Sequence, residues 1–404
     1  MKLAIKSKKL ISPLKEIKDA VILINGERIE AVGRQVNIQI PDDYKVKDVG
    51  DRMVAPGLVD IHNHGANGYF AREGEQAVQE VSKYLARTGT TTWLATIGDA
   101  EGVRGGVKAI RNGTKGCYVP GIRCEGPFLY PKYLPGESKA PPPPADEKTF
   151  MEMYEAGEGY IKIMDCSPDL PGGLEMIKRI RRHGIISAFA HGNAGYKLFM
   201  QAVECGVSIS THTYNVMVGM HHRRPGAVGA ALTCDEVMAE LTGDGVHVHP
   251  VAMDVLIRCK GLDRVVLISD SQAIAGLPDG FYDWSDRIID GEYNWVGVKL
   301  MKKDGVARLA ESDEQLDGAI SSSVYQLKKG IQNLVFDVGV KLKDAFRMGS
   351  LNPAIAAGLD GELGSLRPGK RADLIVIDDE INLFMTMVGG KIVHETEVVS
   401  ELVY

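Results

Sequence analysis

Between Pro56 and Asp270 the chain alternates short apolar runs with longer stretches in which apolar residues recur every three or four positions. The runs are Leu58-Ile61, Thr91-Ala95, Cys117-Arg123, Ile161-Asp165, Ile185-Phe189, Val207-Thr211, Met238-Thr242 and Val265-Ser269. Short continuous runs of this kind read as strands buried on both faces. The stretches between them read as helices. Residues 74–87 place Ala77, Val78, Val81 and Leu85 on one face, and Gly89 stands where it can end the helix. A later stripe of Ile320, Val324, Leu327, Ile331 and Leu334 predicts a further helix. Eight strands separated by helices predict an α/β fold of the (β/α)8 TIM-barrel type.

The two ends of the chain have another texture. Short strands are expected at Ala20-Ile24, Ile29-Val32 and Tyr44-Val49, with Asn25-Gly26 as a turn. The last part repeats the pattern at Ala372-Ile377 and Phe384-Val393, with a turn at Gly389-Gly390. The expected organisation is a small β-sandwich domain built from residues 1–55 and 362–404, flanking a barrel at 56–361. No solenoid period is present. The proline tract Pro141-Pro144 reads as a stiff loop segment.

Composition narrows the function. The 404 residues carry a formal net charge of -6, with Lys+Arg 47 against Asp+Glu 53, which argues against a nucleic-acid-binding face. An anionic substrate would therefore need local basic residues. The 44% hydrophobic content supplies a sizeable core, but no apolar run approaches membrane-spanning length. The start of the chain is interrupted by Lys6, Lys8 and Lys9 and has no signal-peptide pattern. The six cysteines include no C-x-x-C pair, so reduced thiols and a cytoplasmic location are expected.

Candidate chemistry emerges when polar residues are placed against the strands. His62 and His64 follow the first, Glu125 the third, His191 the fifth, His212 the sixth, His247 the seventh and Asp270 the eighth. Singly, each has a bland reading: a histidine at a strand end is more often a hydrogen-bonded loop residue, and Glu125 could be a helix cap. Together they fall where a barrel gathers its strand ends into one pocket. His183, in the basic helix end Arg181-Arg182-His183-Gly184, and His394, in the tail strands, are assigned to structure or surface. Imidazoles with a carboxylate suit a divalent metal, zinc or iron. The period of two in an extended chain lets His62 and His64 point the same way. Asp270 is the candidate for moving protons.

Several segments resemble the amidohydrolase superfamily and, within it, the N-acetylglucosamine-6-phosphate deacetylases. The superfamily-level segments are Pro56-Gly57-Leu58-Val59-Asp60-Ile61-His62-Asn63-His64-Gly65 and Gly364-Ser365-Leu366-Arg367-Pro368-Gly369-Lys370-Arg371-Ala372-Asp373-Leu374. The deacetylase-level segments are Glu125-Gly126-Pro127-Phe128, His191-Gly192-Asn193-Ala194, Thr211-His212-Thr213-Tyr214-Asn215-Val216-Met217 with Arg224-Pro225-Gly226, Asp244-Gly245-Val246-His247-Val248-His249-Pro250, and Ser269-Asp270-Ser271. The resemblance covers nearly the whole chain. It implies that Glu125, His191 and His212 hold the main metal and that His62 and His64 add a second ion or complete a richer site. It implies that Asp270 takes a proton from the attacking water and passes it to the leaving amine. It also implies that Asn215, Val216, Arg224 and His247 meet a phosphorylated amino sugar, and that the protein is a homodimer.

Two departures touch substrate recognition and not the metal ligands. The loop after Phe128 reads "LYPKYLPGESKAPPPPADE" and lacks the histidine that the family places there; Tyr130, Lys132, Tyr133 or Lys139 could fill that space. The segment Leu316-Asp317-Gly318-Ala319-Ile320-Ser321-Ser322 also drifts from the family wording. Alternative substrates are another N-acyl amino sugar, an N-acyl amino acid or a cyclic amide; the last would use Lys162, in the fourth strand, as a carboxylated bridge. A barrel kept only as a binding protein is a further alternative, opposed by the full set of ligands.

Overall fold

The structure is a computed structural model, and it describes residues 2–131, 142–283, 299–310 and 318–396. All eight expected core strands are present: β1 (Leu58–Asn63), β2 (Thr90–Thr96), β3 (Tyr118–Cys124), β4 (Ile161–Cys166), β5 (Ile186–Phe189), β6 (Val207–Ser210), β7 (Met238–Thr242) and β8 (Val265–Ile268). They pair in parallel in sequence order from β1 to β8. The ring closes where Asp270 N donates to His62 O at 2.9 Å and His64 N donates to Ser271 O at 2.8 Å. The barrel is filled by Val59, Ile61, Leu94, Ile163, Ala188, Ile209, Val266 and Ile268.

Helices α1 (Glu75–Ala86), α2 (Ala100–Asn112), α3 (Glu147–Gly157), α4 (Gly173–Arg182), α5 (Tyr196–Cys205), α6 (Gly226–Thr233), α7 (Pro250–Lys260) and α8 (Leu327–Phe336) surround it. Their starts obey capping chemistry. Asp99 accepts from Gly102 N at 2.8 Å before α2, and Asp146 accepts from Thr149 N at 2.9 Å before α3. The apolar face of α1 is the expected one: Ala77, Val78, Val81 and Leu85 are buried. His183 caps α4, its Nδ1 2.9 Å from Arg179 O, in keeping with the structural role expected of it.

The stripe from Ile320 to Leu334 is only partly helical. The helix begins at Leu327, because the preceding residues are taken up by extended pairing: Ser321 N donates to Ala307 O, and Ser323 N donates to Asp270 O. The partner segment belongs to an unexpected antiparallel meander of Gly280–Asp283, Lys299–Lys303 and Val306–Ala310.

The terminal strands form one hydrogen-bonded sheet. Lys2–Ser12 is a long strand that the lysines concealed. Leu3, Ala4, Ile5, Leu10 and Ile11 are buried, so both ends of the strand are covered on both faces, and beyond Lys2 only Lys6, Lys8 and Lys9 in its middle reach solvent. Met53–Pro56 pairs with both Lys2–Ser12 and Leu374–Ile377, stitching the two chain ends together immediately before β1. The link is Gly57, where an added Cβ would sit 2.0 Å from Thr91 Oγ1, so no larger residue fits. The expected C-terminal turn is present: Gly389 and Gly390, both at positive φ, join Leu383–Val388 to Lys391–Glu395, and His394 lies in that last strand. Among the described residues no helix is long and apolar enough to cross a membrane. All six cysteines are free thiols. Pro142 to Pro144 has no regular structure; Pro141, Lys132, Tyr133, Lys139, Leu316 and Asp317 lie outside the described residues.

Candidate metal centre and active site

The strand ends bring six of the expected residues together. Glu125 follows β3 directly and stands between two histidine pairs. Its Oε2 lies 3.0 Å from His64 Nε2 and 3.5 Å from His62 Nε2. Its Oε1 lies 3.1 Å from His212 Nε2 and 3.4 Å from His191 Nε2, and those two nitrogens are 3.2 Å apart. Asp270 Oδ1 is 3.5 Å from both His62 Nε2 and His64 Nε2.

Two donor triads result, His62/His64/Glu125 and Glu125/His191/His212, and in each all donor atoms lie within 4.8 Å of one another. Bonds of about 2.0–2.2 Å meeting at tetrahedral angles set neighbouring donors roughly 3.3 Å apart. The separations around Glu125 cluster at that value. The donor set therefore fits a divalent cation, with one carboxylate oxygen serving each triad. Among the described residues, His62 Nε2 and His212 Nδ1 are buried with no hydrogen-bond partner.

Backbone conformation contributes to the aim of these groups. His191, His212 and Asp270 have φ of 51°, 29° and 49°, and Tyr214 and Val216 after β6 are also left-handed at 83° and 51°. Such conformations cost non-glycine residues roughly 1–3 kcal/mol each and collect at functional sites. A β-branched residue such as Val216 is especially unusual there.

The electrostatics carry the same message. Burial and the Arg123 charge disfavour a protonated His62, yet Glu125 and Asp270 outweigh them and hold its pKa well above the usual imidazole value. Burial would raise Glu125, but the charge of His62 and the hydrogen bonds of His191 and His212 hold it well below the carboxylate range. Asp270 is likewise lowered: burial opposes ionisation, and His62 and the His64 contact overcome it. Two ionised carboxylates facing four imidazoles make a site in which positive charge is welcome. A metal ion can take the place of the protons.

The residues expected at the substrate fall at the same end of the barrel by different routes. Asn215 and Val216 lie three and four residues after His212, and Asn215 Nδ2 is buried without a hydrogen-bond partner among the described residues. His247, after β7, sits 2.6 Å from Asp244 Oδ2 through Nδ1. Arg224 is exposed on a turn closed by mutual backbone hydrogen bonds with His221, and it has no ion pair among the described residues. It is not part of the metal cluster. Lys162 does not reach it either. Its stem packs over Gly121, four residues or roughly 13 Å of extended strand before Glu125, so the carboxylate shared by the triads is Glu125 and not a carboxylated lysine.

Beneath the ligands lies a buried ionic network that reading the strand ends did not find. Arg123, Asp165 and Glu240 are each 0% exposed. Arg123 donates through Nε and Nη2 to Asp165 at 2.9 Å each, and through Nη1 to Glu240. The available signal was charge inside otherwise apolar strands, which is costly unless paired. The Arg123 salt bridges hold Glu240 down, to about 2, despite its burial.

Comparison with known proteins adds to this geometry. The Amidohydrolase family model matches residues 53–393. An N-acetylglucosamine-6-phosphate deacetylase of Bacillus subtilis is 28% identical over 400 residues, 96% of each chain. An N-acetylgalactosamine-6-phosphate deacetylase of Escherichia coli O157:H7 is 29% identical over 362 residues, 87% of this chain and 90% of that one. A solved mutant N-acetyl-D-glucosamine-6-phosphate deacetylase from Mycobacterium smegmatis, in complex with N-acetyl-D-glucosamine-6-phosphate, superposes with a TM-score of 0.84 at 25% identity, covering 97% of this chain and 99% of that one.

Proposed function

Because this chain belongs to the amidohydrolase family, we infer that the centre hydrolyses an amide, the acetamide of N-acetylglucosamine 6-phosphate, giving glucosamine 6-phosphate and acetate. The observation that carries this reading is the shared carboxylate: Glu125 joins two histidine pairs, with Asp270 within 3.5 Å of one of them. We assign Glu125, His191 and His212 to a first divalent ion and His62, His64 and the second Glu125 oxygen to another. Zinc is the preferred metal and iron suits the same donors.

A divalent cation bound there supplies Lewis acidity to the amide carbonyl and makes hydroxide available near neutral pH. The protein's own groups do the rest. Asp270, ionised and aimed by the barrel closure, accepts the proton of the attacking water at Oδ1 and returns it to the leaving amine nitrogen. Asn215 offers an unpartnered buried donor to the sugar phosphate. His247, Val216 and Arg224 complete the substrate contacts in this reading, Arg224 because a guanidinium matches phosphate oxygens bidentately.

We further propose a homodimer, in line with the family resemblance alone, and a cytoplasmic location, supported by the six free thiols. The domain division at 1–55 with 362–404 and at 56–361 belongs to the same proposal. The phosphate assignment has a direct test. Arg224→Ala is expected to lower kcat/KM for the 6-phosphate substrate by roughly 10–100-fold, the worth of a lost charge-assisted contact. Amine release from the unphosphorylated sugar should change little, and equal losses on both substrates would sink the assignment. The Escherichia coli relative favours a second reading, the C4 epimer N-acetylgalactosamine 6-phosphate, for the same centre. Parallel assays of the two epimers decide between them.

A further inference from the structure

We infer that Glu240 is a positioning residue that sets which nitrogen of His62 is offered to metal, and that Arg123 locks Glu240 in that task. The inference rests on the metal-centre reading above. His62 is 0% exposed, and its Nδ1 lies 3.2 Å from Glu240 Oε2. The same oxygen accepts from His212 N at 3.1 Å, while Oε1 accepts from Arg123 Nη1. Glu240 thus touches one ligand from each donor triad.

Arg123 extends the coupling. It donates to Ile61 O at 3.3 Å and to Thr211 Oγ1 at 2.9 Å, the residues just before His62 and His212, and it lies two residues before Glu125. An ionised carboxylate can only accept hydrogen bonds. The hydrogen of a neutral His62 ring must then be on Nδ1. Nε2, which faces Glu125 and Asp270 and has no hydrogen-bond partner among the described residues, is left with its lone pair free.

Glu240→Gln tests this with little change of shape. All three neighbours of Glu240 are donors, and an amide offers only one acceptor oxygen. The permanently charged Arg123 takes that oxygen, so the NH2 group faces His62. Nδ1 must then accept, and the ring hydrogen moves to Nε2, where it blocks the ligand position. Asp165→Asn is the control, because Asp165 belongs to the same buried network through Arg123 and Thr211 Oγ1 but does not touch His62.

Metal per chain is measured by mass spectrometry after dialysis against buffered free zinc, for native protein and both variants, with thermal melting to record folding. The expected result is a loss of affinity of about 10–100-fold, the usual consequence of removing a ligand's supporting partner, at one of two positions in Glu240→Gln. The other position and both positions in Asp165→Asn should remain filled. Unchanged binding in folded Glu240→Gln, or equal losses in both variants, overturns the inference. Native protein that binds no metal overturns the metal-centre reading itself. Should Glu240→Gln fail to fold, histidine-selective 15N spectra of the zinc-loaded native protein decide, with the His62 signal identified by its loss in His62→Asn. Hydrogen on Nδ1 with metal on Nε2 supports the inference, and the reverse refutes it.

Discussion

Exchanging Asp270 for Asn is expected to lower kcat by roughly 10²–10⁴-fold, the usual contribution of a positioned general base, while metal content stays at the native level. The side chain is held where a base must stand. Its backbone N–H donates to His62 O, its carbonyl accepts from Ser323 N, and its left-handed φ of 49° turns the carboxylate toward the histidines. Ser322 Oγ donates to the Asp270 carbonyl and lies 3.5 Å from Oδ1, so the carboxylate is steadied from a second side. Burial alone would favour the acid form, but the charge of His62 and the His64 contact keep the group ionised, so it is ready to accept a proton at neutral pH. Asn keeps the shape and removes that capacity. Because the five expected ligands are untouched, the loss should appear in kcat with little movement of KM. Steady-state kinetics paired with metal analysis check this, and a variant retaining kcat within tenfold would remove Asp270 from its assigned role.

Glu125→Ala should have a broader effect. Each oxygen of this carboxylate faces a different histidine pair, so one substitution removes a donor from both triads. Both positions are expected to weaken by more than the about 10–100-fold that loss of a mere supporting partner costs, and activity should fall below detection. His191→Asn makes the contrast: it touches only the second triad and should spare the ion beside His62 and His64. Metal stoichiometry of the two variants separates a shared carboxylate from an ordinary ligand. Loss of only one ion in Glu125→Ala would show that the carboxylate is not shared.

How much of this could be read from residues follows from where each kind of information resides. The eight barrel strands were legible because strands buried on both faces are mostly apolar, and their ends moved by only a residue or two. Lys2–Ser12 was hidden because Lys6, Lys8 and Lys9 interrupt its two short apolar ends, so neither end reads as a strand by itself. The meander of Gly280–Asp283, Lys299–Lys303 and Val306–Ala310 was hidden because its strands are only four or five residues long. Ile320 and Val324 matched a helical period by chance, and tertiary pairing with Ala307 and Asp270 overrode it. At the site, convergence of His62, His64, Glu125, His191, His212 and Asp270 follows from barrel topology alone. The division of Glu125 between two histidine pairs depends on side-chain direction and on left-handed residues at 191, 212 and 270, which strand periodicity does not encode. Arg123, Asp165 and Glu240 were passed over because they lie within strands, although charge in an apolar run was the clue.

One reaction tests the deacetylase assignment most directly. Metal-replete protein incubated with N-acetylglucosamine 6-phosphate should release acetate and glucosamine 6-phosphate in equal amounts, and chelation should stop the release until zinc or iron is restored. A metal-replete protein that releases no acetate from this compound while hydrolysing another amide would contradict it.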